Sequence, residues 1–214
     1  MSLFISLIRS SVGKKYIMAA TGSFLSFFLL AHLIGNSFSF FGKDAFNSYA
    51  SHLHSLSFLL HILEVILALI FLAHILTAFF LYVDNLKARP DPYAVSKGTR
   101  SWNSRTMPYT GLILLIFILA HLENFHFTTV TATPSEMVGD LLGSPGSAIF
   151  YLFALATLGV HLSHGFWSMF QSAGINHPKY NIFLKNAGLG AAVILCSIFM
   201  LIPILALLTE WFLQ

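Results

Sequence analysis

The fold of this chain is decided by Ala20-Thr21-Gly22-Ser23-Phe24-Leu25-Ser26-Phe27-Phe28-Leu29-Leu30-Ala31-His32-Leu33. This stretch contains no Asp, Glu, Lys or Arg, and a histidine stands near its end. A second stretch repeats its pattern and reads Tyr109-Thr110-Gly111-Leu112-Ile113-Leu114-Leu115-Ile116-Phe117-Ile118-Leu119-Ala120-His121-Leu122. Ionisable side chains at membrane depth are rare and usually functional. The repeat therefore predicts membrane helices that each carry one functional histidine.

The composition supports a membrane protein. Of the 214 residues, 57% are hydrophobic and 9% are charged, whereas soluble domains carry about 25% charged residues. Crossing the hydrocarbon takes about 20 mostly apolar residues in a helix. Five segments qualify, at 16–41, 57–83, 108–130, 147–173 and 186–209. We expect an all-α integral membrane bundle of five transmembrane helices in a lipid bilayer, forming a single domain over residues 1–214.

The basic residues predict the orientation of the bundle. With a cytoplasmic N-terminus, all but one of the 11 basic residues fall on the cytoplasmic side, as the positive-inside rule requires. They are Arg9, Lys14, Lys15, Lys87, Arg89, Lys97, Arg100, Arg105, Lys179 and Lys185. Lys43 lies on the other side with Asp44, Glu136, Asp140 and Glu210. The C-terminus is then outside, a cleaved leader is not expected, and the basic loops call for no nucleic-acid partner.

Four histidines lie one in each of the first four segments. In an alternating topology His32 and His121 lie toward the outer face (the first histidine pair). His74 and His161 lie toward the cytoplasm (the second histidine pair). Each pair comes from two parallel helices, which suits a metal ligated by two imidazoles, and helical bundles commonly hold such sites. We therefore expect these four histidines to bind the irons of two b-type haems.

Membrane histidines can also serve roles other than binding b-type haem. The chain has one cysteine and no Cys-x-x-Cys-His string, which excludes covalently attached c-type haem. Zinc is disfavoured because the two levels lie too far apart to form one tetrahedral site. Polar contacts between helices and a proton relay remain alternatives, since both are known roles of intramembrane histidine.

The repeat also places a Thr-Gly dipeptide before each histidine of the first pair. Thr21 precedes His32 by about three helical turns, roughly 16 Å along the axis, which reaches the level of the second pair. We expect Gly22 and Gly111 to provide clearance for the second haem, or alternatively to serve ordinary helix packing. His164 is an alternative ligand to His161. Thr157, one turn before His161, is a candidate acceptor for its ring N–H.

Several motifs resemble those of one family. They are His32-Leu33-Ile34-Gly35-Asn36, Ala45-Phe46-Asn47-Ser48, Thr110-Gly111 ahead of His121, and His161-x-Ser163-x-Gly165-x-Trp167-Ser168. Together they resemble the single-chain, five-helix, di-haem cytochrome b membrane anchor of succinate dehydrogenase and quinol:fumarate reductase. The resemblance covers nearly the whole chain, from about residue 13 to about residue 202.

The resemblance implies a role in a multi-subunit oxidoreductase of a prokaryotic cytoplasmic membrane. His74 and His161 would bind the proximal haem, which favours His161 over His164, and His32 and His121 would bind the distal haem. A flavoprotein subunit, which carries the dicarboxylate chemistry, and an iron–sulfur subunit would dock on the cytoplasmic side. The membrane substrate would be a quinone, usually menaquinone. A dimer of the whole complex is compatible with the resemblance, and succinate oxidation and fumarate reduction use the same parts.

The quinone site is predicted from acids. Some family members carry a functional glutamate two residues before the fourth ligand, where this chain has Gly159. Glu64 and Glu123 instead fall near the level of the first pair, and either is a candidate for proton exchange with a quinone. The alternative is that both are solvated at the interface. Rival functions are the cytochrome b subunit of a membrane hydrogenase or formate dehydrogenase, and a histidine-dependent proton or metal-ion transporter.

Overall fold

The protein is described by a computed structural model over residues 10–88, 102–128 and 132–208. Within these residues the chain forms seven α-helices and one 3₁₀ turn, Phe38–Phe41. The helices are α1 (Ser11–Ser37), α2 (Lys43–Ser55), α3 (Ser57–Lys87), α4 (Trp102–Phe125), α5 (Pro134–Leu142), α6 (Pro145–Ser172) and α7 (Pro178–Leu208). Five of them, α1, α3, α4, α6 and α7, are long and apolar enough to cross a membrane. The predicted all-α architecture with five spanning helices is confirmed.

The predicted helix starts were wrong for α4 and α7. Helix α4 begins at Trp102, so Pro108 lies inside the helix and not at its first turn. Transmembrane helices tolerate such prolines because neighbouring groups satisfy the freed carbonyl. Helix α7 begins at Pro178, and the ring Nδ1 of His177 accepts the Lys179 N–H at 3.2 Å. The apolar run alone missed this first part of α7 because it contains Lys179 and Lys185.

The remaining helix ends differ less. Helix α1 begins at Ser11, where the Ser10 hydroxyl accepts the Gly13 N–H at 2.9 Å. Helix α4 ends at Phe125, earlier than predicted, because the backbone N–H groups of His126 and Phe127 both turn back to the Leu122 carbonyl. Several predicted features lie outside the described residues. These are Arg9, Arg89, Lys97, Arg100, Glu210 and the predicted segment ends at Val130 and Thr209.

Two short helices, α2 and α5, were not predicted. They are joined by Asn47, whose amide donates to the Ser135 hydroxyl at 2.9 Å and accepts the Ser135 N–H at 3.0 Å. Helix α5 begins with a capping box in which Thr133 and Glu136 satisfy each other's backbone N–H groups. The N–H of Thr133, followed by its hydroxyl, holds the pKa of Glu136 below its ordinary value. The string Thr133-Pro134-Ser135-Glu136 was a sequence signal for this helix.

Helices α1 and α6 form the centre of the bundle. Helix α1 packs against α3 and α6, and α6 also packs against α4 and α7. The largest buried cluster joins α1, α2, α5, α6 and α7, and it includes Leu33, Phe46, Leu142, Tyr151 and Phe199. Helix α3, by contrast, buries only Thr77 and exposes apolar side chains on its other faces. Such a surface suits contact with lipid.

Two side-chain contacts fix the register of α1 against α3. The Lys14 ammonium forms an ion pair with Asp84 at 2.5 Å, which joins the start of α1 to the end of α3. Further along, the Thr21 hydroxyl contacts the His74 ring. The two helices are therefore antiparallel, so residues later in α1 lie beside residues earlier in α3.

A close approach of α6 to α7 generates a stability prediction. A Cβ atom on buried Gly188 would lie 2.6 Å from Cδ1 of Phe166 and 3.1 Å from its Cβ. We expect Gly188→Ala to destabilise the protein by about 1–3 kcal/mol, the usual cost of overpacking. The measurement is the unfolding midpoint of the detergent-solubilised protein. Gly190→Ala is the matched control, since its added Cβ would meet no atom within 4 Å. Equal midpoints for the two variants would contradict the prediction.

Candidate functional site

The first histidine pair is brought together by α1 and α4. The ring centroids of His32 and His121 lie 5.9 Å apart, with the ring planes at 84°. Two imidazoles bound to one metal through bonds of about 2 Å have centroids about 6 Å apart. The separation of these two rings is therefore compatible with one metal ion held between them.

Aromatic side chains surround the first pair. Phe28 stacks on His32 with centroids 5.5 Å apart, and Phe199 of α7 lies 5.9 Å from the same ring. On the other side His121 contacts Phe117 and Tyr151, at 5.7 and 6.1 Å. These contacts were not predicted, although Phe28 and Phe117 stand four residues before the two histidines and thus share their helix faces.

The ring of His121 has an unsatisfied nitrogen. Its Nδ1 is the buried side-chain polar atom that lacks a hydrogen-bond partner within the part of the chain that the structure describes. Leaving a buried polar group unsatisfied costs about 1–3 kcal/mol, and native proteins rarely do so. Tyr151, which lies against this ring, is engaged with Asn124 through a 3.4 Å hydrogen bond. The orphaned nitrogen favours a site that binds a further group.

The second histidine pair is held by the threonines of the repeat. The Thr21 hydroxyl of α1 lies 3.0 Å from Nδ1 of His74 on α3, and the Thr110 hydroxyl of α4 lies 3.1 Å from Nδ1 of His161 on α6. Thr21 was predicted to lie at the level of the second pair, and its contact with His74 places it there.

The threonine contacts favour a hydrogen on one particular ring nitrogen of each histidine. The Thr21 hydroxyl donates its one hydrogen to the Ile17 carbonyl at 2.8 Å, and that of Thr110 donates to the Met107 carbonyl at 3.1 Å. Each hydroxyl oxygen can then only accept a hydrogen bond from the histidine ring. We therefore infer that Nδ1 of His74 and of His161 carries the hydrogen. The lone pair on Nε2 of each ring is then free to bind a metal.

The glycines of the repeat lie beside the same rings. A Cβ on Gly22 would be 3.4 Å from Cε1 of His74, and one on Gly111 would be 3.7 Å from Cε1 of His161. Both distances are ordinary van der Waals contacts, so each glycine packs against an imidazole ring. Clearance for a haem remains a prediction.

The other candidate residues lie outside these contacts. Thr157 is not the partner of His161 that we expected. Its hydroxyl donates to the Phe153 carbonyl at 2.9 Å, and the Thr110 hydroxyl contacts Nδ1 of His161 instead. His164 lies three residues after His161 on α6, about one helical turn further along. Glu64 and Glu123 are exposed and make no hydrogen bond or ion pair with the residues described. No three His, Cys, Asp or Glu side chains of the described residues converge on one metal-binding point.

Comparison with known proteins identifies the family. The chain is 30% identical over 153 residues to the succinate dehydrogenase cytochrome b558 subunit of Bacillus subtilis (strain 168). That alignment covers 69% of this chain and 72% of the relative. The chain belongs to the succinate dehydrogenase cytochrome b membrane-anchor family. No protein-family model matches it, and no solved structure matches it.

Membership of this family agrees with the five apolar helices, which make the chain a multi-pass membrane protein. The predicted resemblance is thereby confirmed. The relative is by name a cytochrome b, a class in which haem iron is bound by axial side chains. The two histidine pairs, the free Nε2 lone pairs and the orphaned His121 nitrogen fit such a group in this anchor subunit.

Proposed function

We propose that this anchor subunit transfers electrons between a membrane quinone and an iron–sulfur subunit through two b-type haems. The observation that carries the proposal is the arrangement of the four imidazoles. The rings of His32 and His121 lie 5.9 Å apart, and His74 and His161 each make the same contact with a threonine of the repeat. The levels lie about 16 Å apart, given eleven residues of α1 between Thr21 and His32. Bound haem supplies an iron that takes up and gives back one electron at a time.

The protein's own residues prepare both sites. His74 and His161 offer Nε2 at one level, with Thr21 and Thr110 keeping each ring in that tautomer. His32 and His121 form the other level, where Phe28, Phe117 and Phe199 pack against the rings. An apolar surrounding is one of the means by which a protein tunes a bound iron.

The partners are assigned from charge. The described basic residues at the start of α1, the end of α3, the start of α4 and the start of α7 lie at one end of the bundle. They are Lys14, Lys15, Lys87, Arg105, Lys179 and Lys185. We assign this end to the cytoplasm and to the docking of the iron–sulfur and flavoprotein subunits. The second pair then lies nearer those subunits, and the dicarboxylate chemistry belongs to the flavoprotein.

The quinone is assigned to the level of the first pair. The α1–α3 register supports this: from the Thr21–His74 contact, eleven residues along α1 reach His32, and ten back along α3 reach Glu64. Glu64 is thus level with His32, on a helix whose surface suits lipid. Glu123 lies just past His121 and is also exposed. We propose that menaquinone exchanges protons with one of these two acids at this level.

The family membership favours this function over the rival cytochrome b of a membrane hydrogenase or formate dehydrogenase. It equally favours electron transfer over a proton or metal-ion transporter.

Replacing the histidines tests the haem assignment. We expect the complex purified with its partner subunits to show two b-type components in a redox-titrated visible spectrum. His32→Ala and His121→Ala should each remove one component, and His74→Ala and His161→Ala should each remove the other, because each haem would lose one of the two histidines that would hold it.

Two control variants accompany this test. His61→Ala should leave both components, since the His61 ring lies exposed and contacts the Ser57 carbonyl at 2.6 Å. His164→Ala should also leave both, and loss of a component there with retention in His161→Ala would reassign that ligand. A purified wild-type complex without any haem band would contradict the proposal and favour the transporter.

Replacing the acids tests the quinone site. At least one of Glu64→Gln and Glu123→Gln should lower succinate-to-quinone turnover by about 10²-fold or more, the usual contribution of a positioned acid or base. Succinate oxidation by a soluble acceptor, which bypasses the membrane subunit, should stay unchanged. The measurement compares both activities in the same membranes.

Glu136→Gln is the matched control for the acids. Its carboxylate is used in the α5 capping box, which glutamine also completes, so quinone turnover should be retained. Unchanged quinone turnover in both Glu64→Gln and Glu123→Gln, with both haems present, would exclude the acids from the site.

A further inference from the structure

Two hydroxyl groups contact the rings of the second pair in the same way. Thr21 reaches His74 from α1, and Thr110 reaches His161 from α4, at 3.0 and 3.1 Å from Nδ1. In both cases the threonine is on one helix and the histidine on its antiparallel neighbour. Two independent helix pairs thus place a hydroxyl on each of the two imidazoles at one level.

The hydroxyls are fixed in direction by their own helices. Thr21 donates to the Ile17 carbonyl at 2.8 Å, and Thr110 donates to the Met107 carbonyl at 3.1 Å. An oxygen held in this way presents its lone pair to the ring and accepts the Nδ1–H. Hydrogen bonding from the second nitrogen of a ligating imidazole fixes the ring's orientation and raises the basicity of the first.

We propose that Thr21 and Thr110 are positioning residues that lower the reduction potential of the haem bound by His74 and His161. The inference rests on the proposed ligation by these histidines. A more basic Nε2 stabilises the oxidised iron more than the reduced iron. Reduction adds one electron to the iron and moves no proton, because the hydrogen on Nδ1 stays in its bond to the threonine oxygen.

The experiment is a redox titration of the complete complex, with each haem followed by its visible band. Thr21→Val and Thr110→Val keep the size of the side chain and remove the acceptor. Each should raise the midpoint potential of the haem that depends on His74, and the double variant should raise it further than either single variant. The haem that depends on His32 should keep its midpoint.

The controls separate the hydrogen bond from packing. Thr157→Val removes another buried threonine hydroxyl, one turn from His161, which bonds only the Phe153 carbonyl of its own helix. It should leave both midpoints unchanged. Thr21→Ser and Thr110→Ser keep the hydroxyl and should keep the wild-type midpoint, whereas Thr21→Ala and Thr110→Ala should raise it.

The outcomes distinguish the two claims. If the wild-type complex has no haem component that is lost in His74→Ala, the proposed ligation fails. If that component is present and its midpoint is the same in wild type and both Val variants, the positioning role alone is overturned. Should the Val variants lose the haem, equal midpoints for the Ser and Ala variants at either position would overturn it.

Discussion

An imidazole inside a membrane must satisfy two nitrogens without water, and this requirement organises the bundle. For His74 and His161 the first nitrogen is satisfied by a threonine on the neighbouring helix, which fixes the spacing and register of α1 against α3 and of α4 against α6. Gly22 and Gly111 follow these threonines and lie against the same rings, where a Cβ atom would be in ordinary van der Waals contact with the imidazole. The pairing of the rings at each level depends on this register.

Much of the fold follows from hydropathy. Runs of about 20 apolar residues predicted five spanning helices, because a membrane requires backbone groups to be satisfied within each segment. Hydropathy could not find α2 or α5, since their polar faces interrupt the apolar pattern, although the capping box at Thr133 was readable. It also placed the start of α4 at Pro108, because the preceding residues, which include Arg105, interrupt the apolar run.

The site was predictable where spacing along one helix determines it. Eleven residues from Thr21 to His32 gave the level of Thr21 correctly, because helical rise is nearly constant. The partner of His161 was expected on its own helix, at Thr157, and is instead Thr110 on α4. Contacts between helices depend on rotation about each axis, which a single sequence does not determine. For the same reason Tyr151 and Phe199 were missed beside the first pair.

The two levels differ in how closely they follow the sequence repeat. At the second pair, α1 with α3 and α4 with α6 present the same threonine–histidine contact, so the two imidazoles have the same hydroxyl partner. At the first pair the equivalence ends, because Phe199 of α7 covers His32 while Tyr151 of α6 lies against His121. The fifth spanning helix packs mainly on α6 and has no counterpart in the other half of the repeat. An electron carrier needs only two matched ligands, whereas a quinone site must also admit a substrate and protons from one side. Helix α7 breaks the symmetry at the first pair, so this is the level whose surroundings can suit a substrate as well as an electron carrier. Glu64 lies at the same level, on the lipid-facing surface of α3.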